Sequence, residues 1–239
     1  MNSKNQLTRM VVNKCKANTF DFIGICQENV TSEWIINQSG FPYMKLDITI
    51  PTDVIHDEIK NIEQYFVEHR ESYAEHQGWK GFCIHGKSYD ATREDQYYND
   101  NRPYTWTSEA IKYMPRTVDF FSNHWFGNTF QRLRVMKLEP GGHIFLHRDV
   151  APPGRLYPVN ISITQPEKCD FVFEDYGVVP FSKGDSYILN IANSHCVLND
   201  SDYPRYHIIA HHLTTTDKYN TMLVNSFTKY IDETSTTNN

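Results

Sequence analysis

Between Gln131 and Leu213 the chain is divided into short β-rich runs, RLRVMKL, HIFLH, VNISI, DFVFE, SYILNI and RYHIIAHHL. The segments between them, EPGG, APPG, EDYG, SKGD and NDSDYP, offer Gly, Asn, Asp or Pro where the backbone has to reverse. Strands this short leave edges and half-apolar faces exposed unless several close on one another, so the spacing predicts a sandwich or barrel. Helices concentrate toward the ends. From Pro51 to His69 the apolar Ile55, Ile59, Ile62 and Phe66 recur at three- and four-residue spacing, which predicts an amphipathic helix capped near Thr52 or Asp53 and lying on one face of the sheet. A second helical stretch, Ser108 to Asn123, is split in two by Pro115, and a last one runs from Asp217 to Ile231. The fold class is therefore mainly β with flanking helices, an α+β arrangement.

At 239 residues one domain is expected. The 39 % apolar and 14 % aromatic content is that of a globular chain, and the net charge of -6 argues against a nucleic-acid partner. No apolar run approaches the roughly 18 to 20 residues that span a bilayer, and MNSKNQLTRM lacks the apolar stretch of a signal peptide, so no membrane association and a cytoplasmic location are expected. Cys15, Cys26, Cys83, Cys169 and Cys196 are odd in number and widely spaced, which reads as reduced, mostly buried thiols. The polar tail 232-DETSTTNN-239 has too little apolar surface to order itself and is expected to fray. The loop from Lys87 to Thr105 is long and polar enough to act as a lid.

The stretch 141-GGHIFLHRDV-150 carries the chemistry. On a strand, residues two apart share a face, so His147 and Asp149 present an imidazole and a carboxylate to one point. Alone, such a pair reads more readily as a surface contact at a strand end. Downstream lie His195 and, ten residues later, Arg205. Two histidines and a carboxylate on one face of a metal leave three coordination positions open, as in non-haem Fe(II) oxygenases, and a guanidinium offers a planar fork for a carboxylate. Arg205 also has a bland reading, a solvated ion pair with Asp200 or Asp202.

HxD, then His, then Arg ten residues on, with Leu-Glu-Pro-Gly-Gly ahead of the HxD, resembles the aspartyl/asparaginyl β-hydroxylase-like branch of the Fe(II)/2-oxoglutarate dioxygenases, which includes bacterial hydroxylases of free proline. The resemblance covers roughly Arg132 to Leu213. It implies a double-stranded β-helix, a cupin-like jelly roll, in a single oxygenase domain over 1–231. About 1–125 would form a helix-rich support and pocket region, about 130–213 the core, and 217–231 a C-terminal helix. The family's namesake lacks the carboxylate of the triad whereas Asp149 is present here, so the proline-hydroxylase side is the nearer likeness. The resemblance further implies Fe(II) held by His147, Asp149 and His195, and 2-oxoglutarate chelating the metal with its far carboxylate on Arg205. O2 would be the oxidant, with succinate and CO2 released as an unactivated C–H bond is hydroxylated. The substrate would be a free amino acid or an Asp, Asn or Pro side chain of a peptide.

Around this set, Asn160 stands where the family places polar groups that hold the oxo-acid. Arg134 and Arg155 are candidates for a substrate carboxylate, and Trp79 or Trp125 for a pocket wall. If His195 and Arg205 lie on adjacent antiparallel strands and both face inward, the loop between them needs an odd number of residues unless a bulge intervenes. The same register would turn His207 inward opposite His195, as a support for the cosubstrate site. His143, four before His147 but outside any HExxH, reads as structural, and the doublet His211 and His212 as one core and one surface residue. The alternative to an enzyme is a non-catalytic jelly-roll binding or assembly module whose His/Asp cluster holds a structural divalent metal in a closed shell.

Overall fold

Side-chain alternation along one long strand separates the two sides of the sheet. In the computed structural model, which describes residues 3–18, 20, 30–70, 76–93, 100–149 and 156–237, this strand is β5 (Phe130–His147). Its Leu133 and Val135 join the main apolar core beneath the helices, while Arg132, Arg134 and Met136 face a cavity inside the curl of the sheet. β11 (Arg205–His212) runs antiparallel beside it with the same division: Tyr206, Ile208 and Ala210 enter the core, and Arg205, His207, Ile209 and His211 line the cavity.

The other described strands are β1 (Tyr43–Lys45), β2 (Val67–Glu68), β3 (His76–Gly86), β4 (Thr105–Trp106), β6 (Val159–Ser162), β7 (Cys169–Phe173), β8 (Gly177–Val178), β9 (Ser186–Leu189) and β10 (His195–Asn199). Their order is β1-β9-β6-β11-β5-β10-β7-β8, with β3 along β5 and β2 and β4 along β3. Every described pairing is antiparallel. The sheet curls into the jelly-roll core that the family resemblance implied, within the sandwich or barrel expected from the strand spacing. A second apolar cluster, including Leu138, Phe171, Phe173, Tyr187 and Val197, fills one part of the curl.

The helices cover the outside. α1 (Ser3–Cys15) seats Val12 and Cys15 on Val172, Cys196 and Leu198. α2 (Ser32–Asn37) is capped by Thr31, whose hydroxyl accepts from the Trp34 N–H. α3 (Thr52–Ile59) buries Ile55 and Ile59. The helix expected over 51–69 ends sooner: after Ile59 it tightens into a 3-10 turn, Lys60–Tyr65, and β2 begins at Val67. Its N-terminus, moreover, has no side-chain cap at Pro51. Pro115 divides the next stretch as anticipated, into α4 (Ser108–Tyr113) and α5 (Pro115–Asp119). Buried Glu58 accepts hydrogen bonds from the Arg116 and Thr117 backbone N–H groups and the Thr117 hydroxyl, and so satisfies donors that the first turn of α5 leaves open.

Several expectations need correction. EPGG does not reverse the chain: β5 runs through it and bends there. Gln77 pairs with His143 and Trp79 with Leu138, so residues 139–142 form an extended bulge opposite Gly78. Gly141 takes a left-handed φ of 71°, and a Cβ on Gly142 would meet the Glu139 carbonyl oxygen at 2.8 Å and that of Gln77 at 2.9 Å. The bend passes β5 from β11, its neighbour up to Leu138, to β10, its neighbour from His143. Consequently β10 and β11 are not hairpin partners; β5 lies between them, and the parity test on their loop does not apply. His207 faces inward, but opposite Met136 and Ser162 rather than His195.

The region called helix-rich also contains β3, which pairs along most of β5. α6 (Asp217–Thr237) runs past Ile231 through most of the tail expected to fray, since extending a helix anchored by buried Tyr219, Leu223 and Phe227 adds a hydrogen bond per residue without a new nucleation cost. Of the loop over 87–105, the described flanks are tied to β3: the Cys83 N–H donates to the Tyr89 carbonyl, Thr92 is buried, and β4 pairs with His85 and Gly86. Residues 94–99 lie outside the described residues. Cys15, Cys83, Cys169 and Cys196 are free and buried; Cys26 lies outside the described residues. No described helix is long and apolar enough to cross a membrane.

Candidate active site

The site begins with a bulge in the second half of β5. His195 pairs with His147 and Val197 with Ile144, so β5 has one residue more than β10 over this interval, and both Ile144 and His147 turn toward the cavity. The Phe145 N–H donates to His76 Nδ1 (3.1 Å), and the Phe145 carbonyl lies 2.7 Å from His147 Nδ1. A carbonyl can only accept, so His147 is protonated at Nδ1 and presents Nε2 to the cavity. The same arrangement recurs at His195, whose Nδ1 donates to the Asn193 carbonyl at 2.9 Å. Phe171 stacks on the His195 ring, centroids 5.4 Å apart and planes 5° from parallel. Backbone carbonyls and an aromatic face thus set the tautomer and tilt of the rings.

Asp149 follows β5 and is pinned by its N–H to the Ile191 carbonyl (3.0 Å). Its Oδ1 lies 3.6 Å from His147 Nε2, and ligand atoms of His147, Asp149 and His195 all fall within 4.8 Å of one another. Burial and the neighbouring His147 push the His195 pKa down to about 4, so this imidazole is neutral at neutral pH. Two imidazoles with free Nε2 atoms and one carboxylate fit a divalent transition metal, and among the described residues these are the three ligands that converge, which is the number that leaves coordination positions open.

At another part of the same cavity, of about 430 Å³, stands Arg205. It is 5 % exposed, and burial lowers its pKa to about 10, which leaves it cationic. One terminal nitrogen, Nη2, lies 2.8 Å from His207 Nδ1, and Phe181 covers the guanidinium at 5.8 Å. The ion pair with Asp200 or Asp202 is absent among the described residues: Asp200 pairs with Arg9 instead. This arrangement can hold a carboxylate by a fork of N–H donors.

Asn160, Arg134, His207 and Trp79 all line the cavity as well. Trp125 does not; its indole N–H donates to His212 Nε2 at 2.9 Å in the core. Arg155 lies outside the described residues. His143 is fully buried away from the cavity. The histidine doublet differs from expectation in that both rings are buried, with His211 in the cavity and accepting from Arg134 Nη2 at 3.0 Å. His69, Arg70, Arg93, Arg132 and Tyr157, none of them expected there from the sequence, also line it. Arg132 carried a usable signal, its place two before Arg134 in the alternating RLRVMKL; the others arrive from separate loops and carried none.

Comparison with known proteins supplies the family. Among curated proteins none matches the sequence. Solved structures to which the chain is similar include a Trichoplax adhaerens prolyl hydroxylase in complex with a hypoxia inducible factor oxygen degradation domain peptide fragment. It is 17 % identical, with 88 % of this chain and 90 % of that chain covered and a TM-score of 0.44. A viral collagen prolyl hydroxylase from Paramecium Bursaria Chlorella virus-1 is 14 % identical over 72 % of this chain and 96 % of that chain, TM-score 0.42. A Pseudomonas putida prolyl-4-hydroxylase is 11 % identical over 73 % and 93 %, TM-score 0.42. The aspartyl/asparaginyl beta-hydroxylase family model matches residues 51–213, well over half of the chain and the whole of the cavity-forming core. The chain belongs to the aspartyl/asparaginyl β-hydroxylase family, and is an Fe(II)- and 2-oxoglutarate-dependent dioxygenase with hydroxylase chemistry.

Proposed function

We propose that His147, Asp149 and His195 hold the Fe(II), that Arg205 binds the far carboxylate of 2-oxoglutarate, and that the described residues work as one oxygenase domain over about 1–231. The observation that carries this reading is the convergence of the three ligand atoms within 4.8 Å, in the same cavity as Arg205. When bound, the iron supplies the activation of O2 that couples oxidative decarboxylation of 2-oxoglutarate to hydroxylation of a C–H bond. The chain's own residues supply orientation. The Phe145 and Asn193 carbonyls keep Nδ1 protonated on His147 and His195, so both present Nε2 without a proton to lose. Arg205 orients the diacid from a site that Phe181 shields from water. His207 takes up one guanidinium nitrogen and so aims the rest, and Asn160 supplies an amide near the oxo-acid.

The substrate is a free amino acid or a single Asp, Asn or Pro side chain of a peptide. A cavity of about 430 Å³ supports a compact group, since it must take the cosubstrate as well. Arg134 and Trp79 lie on its wall to contact that group. The test is an anaerobic titration with Fe(II) and 2-oxoglutarate, following the visible metal-to-ligand charge-transfer band in wild type and in Arg205→Ala. The reading expects a band that needs both additions and far more 2-oxoglutarate in the variant. Iron binding without a band would overturn it.

A further inference from the structure

Each of the three ligands needs something to fix its orientation. For His147 and His195 it is a backbone carbonyl at Nδ1. Asp149 is fixed at its backbone by the N–H donated to Ile191, but its carboxylate still turns about the side-chain bonds and offers two oxygens. Among the described side chains, those within ion-pair distance of it are His147 and Arg70. Arg70 Nη2 lies 3.9 Å from Oδ1, and Oδ1 is also the oxygen 3.6 Å from His147 Nε2. An ionised carboxylate oxygen has two lone pairs, so Oδ1 can face both at once. Arg70 thereby favours Oδ1 as the oxygen turned toward the imidazoles.

Both ends of the connection between β2 and β3 bear on the ligands. The His69 N–H donates to the Trp79 carbonyl at 2.7 Å, one step beyond the Val67–Gly81 and Glu68–Lys80 pairs, and the Thr92 hydroxyl lies 2.9 Å from His69 Nδ1. This fixes the backbone up to Arg70, the next residue. At the other end His76 opens β3, accepts from the Phe145 N–H, and packs its ring 5.4 Å from that of His147. One connection thus reaches Asp149 through Arg70 and His147 through His76.

The bland reading of Arg70 is a surface ion pair, since both side chains are about one third exposed and such pairs add little stability. The backbone argues for more. Arg70 has a left-handed φ of 67°, which is unfavourable for a residue with a Cβ and persists where the surroundings impose it. The conformation directs a cavity-lining guanidinium onto a residue of the metal site. Arg70 has other partners too, which restrain the guanidinium further.

We propose that Arg70 is a positioning residue for Asp149: it holds the carboxylate so that a single oxygen serves as ligand, which keeps three coordination positions open for the two donor atoms of 2-oxoglutarate and for O2. A carboxylate free to turn can give a metal both oxygens and so fill a position that O2 needs. The inference rests on the functional reading above.

The test uses full-length protein with Fe(II) and saturating 2-oxoglutarate under anaerobic conditions, titrated with nitric oxide as a stand-in for O2 and followed by electron paramagnetic resonance. Calorimetry without cosubstrate gives the Fe(II) affinity. Arg70→Asn removes the guanidinium and keeps a residue type that tolerates the left-handed backbone. It should weaken nitric oxide binding roughly tenfold, the lower end of what losing an outer partner of a metal ligand costs, with no loss of Fe(II) affinity. Arg70→Lys, which keeps the charge without the planar fork, should weaken it by a smaller factor. If the charge-transfer band of the 2-oxoglutarate complex fails to form in wild type, the functional reading itself fails. If the band forms and Arg70→Asn binds nitric oxide as wild type does, this proposal is overturned and the other stands. A fall in Fe(II) affinity, with or without a change in nitric oxide binding, marks a merely structural role and overturns it equally. Should Arg70→Asn fail to fold, Arg70→Lys decides by the same two constants.

Discussion

Arg205 Nη2 lies 2.8 Å from His207 Nδ1, between side chains that are both almost wholly buried. A guanidinium has no acceptor, so Nδ1 accepts, the remaining proton sits on Nε2, and Nε2 faces the Gln165 amide oxygen at 3.3 Å. Burial, and then the adjacent Arg205, keeps the imidazole neutral by lowering its pKa well below the usual value. His207 therefore aims Arg205 without competing for its charge.

His207→Leu should weaken 2-oxoglutarate binding about ten- to 150-fold, the value of one hydrogen bond to a charged group, while leaving iron affinity unchanged. His207→Asn, which offers an amide oxygen to the guanidinium, should recover part of the loss. Equilibrium titration of the charge-transfer band in each variant reads both constants. Equal loss of iron and 2-oxoglutarate binding would instead indicate general disruption.

His147→Ala and His195→Ala should each lower affinity for Fe(II), or for Mn(II) as a stable surrogate, by more than about 100-fold. His76→Leu should cost a smaller factor, about ten, because it releases the Phe145 N–H and loosens the carbonyl that holds His147. Metal titration by calorimetry measures all three. An unchanged affinity in His76→Leu would show that the bulge holds His147 by itself.

Gly142→Ala should destabilise the fold by about 1–3 kcal/mol, since the added Cβ collides with the Glu139 and Gln77 carbonyl oxygens and neither is a flexible side-chain end. For a chain of this size that is a fall in Tm of several degrees, about 2–4 °C per kcal/mol. A thermal melt tests it. The metal affinity of the variant tests a second consequence, because the same bend directs HIFLH toward the site.

Stability should fall in mild acid. Burial holds the His212 pKa at about 3 against an ordinary 6.5. The unfolded chain takes up a proton below pH 6.5 and the folded chain does not, so the stabilisation is complete above pH 6.5 and is lost progressively toward pH 3. Between pH 6.5 and 5 this one residue accounts for about 2 kcal/mol. His212→Gln keeps an acceptor for the Trp125 indole and removes the titration. Urea unfolding at pH 7 and pH 5 should show a shallower pH dependence in the variant; identical slopes would contradict the assignment.

Much of the residue set that converges on the cavity was legible because local rules governed it. Alternation placed Arg205 and His207 on one face, and the order His147, Asp149, His195, Arg205 carried the family's pattern. The errors share one cause. EPGG has the composition of a reversal, yet β3 pairs with β5 on both sides of the bend and keeps the chain going, so Gly141 and Gly142 serve a bulge. The expected hairpin of β10 and β11 failed because β5 inserts between them, and which strand lies between two others is a long-range matter that loop length does not encode.

The amino-acid sequence by itself determined the alternating faces, the Pro115 break between helices, and the residue types able to hold iron and a diacid. These depend on neighbours a few positions away. Tertiary structure alone decided that β5 bends between β11 and β10, that the Phe145 and Asn193 carbonyls set the histidine tautomers, and that Arg70 and Arg93 line the same cavity as Arg132 and Arg134. The reason is physical: strand pairing and burial act between residues distant in sequence, and they bring together groups whose separate positions along the chain carry no common period.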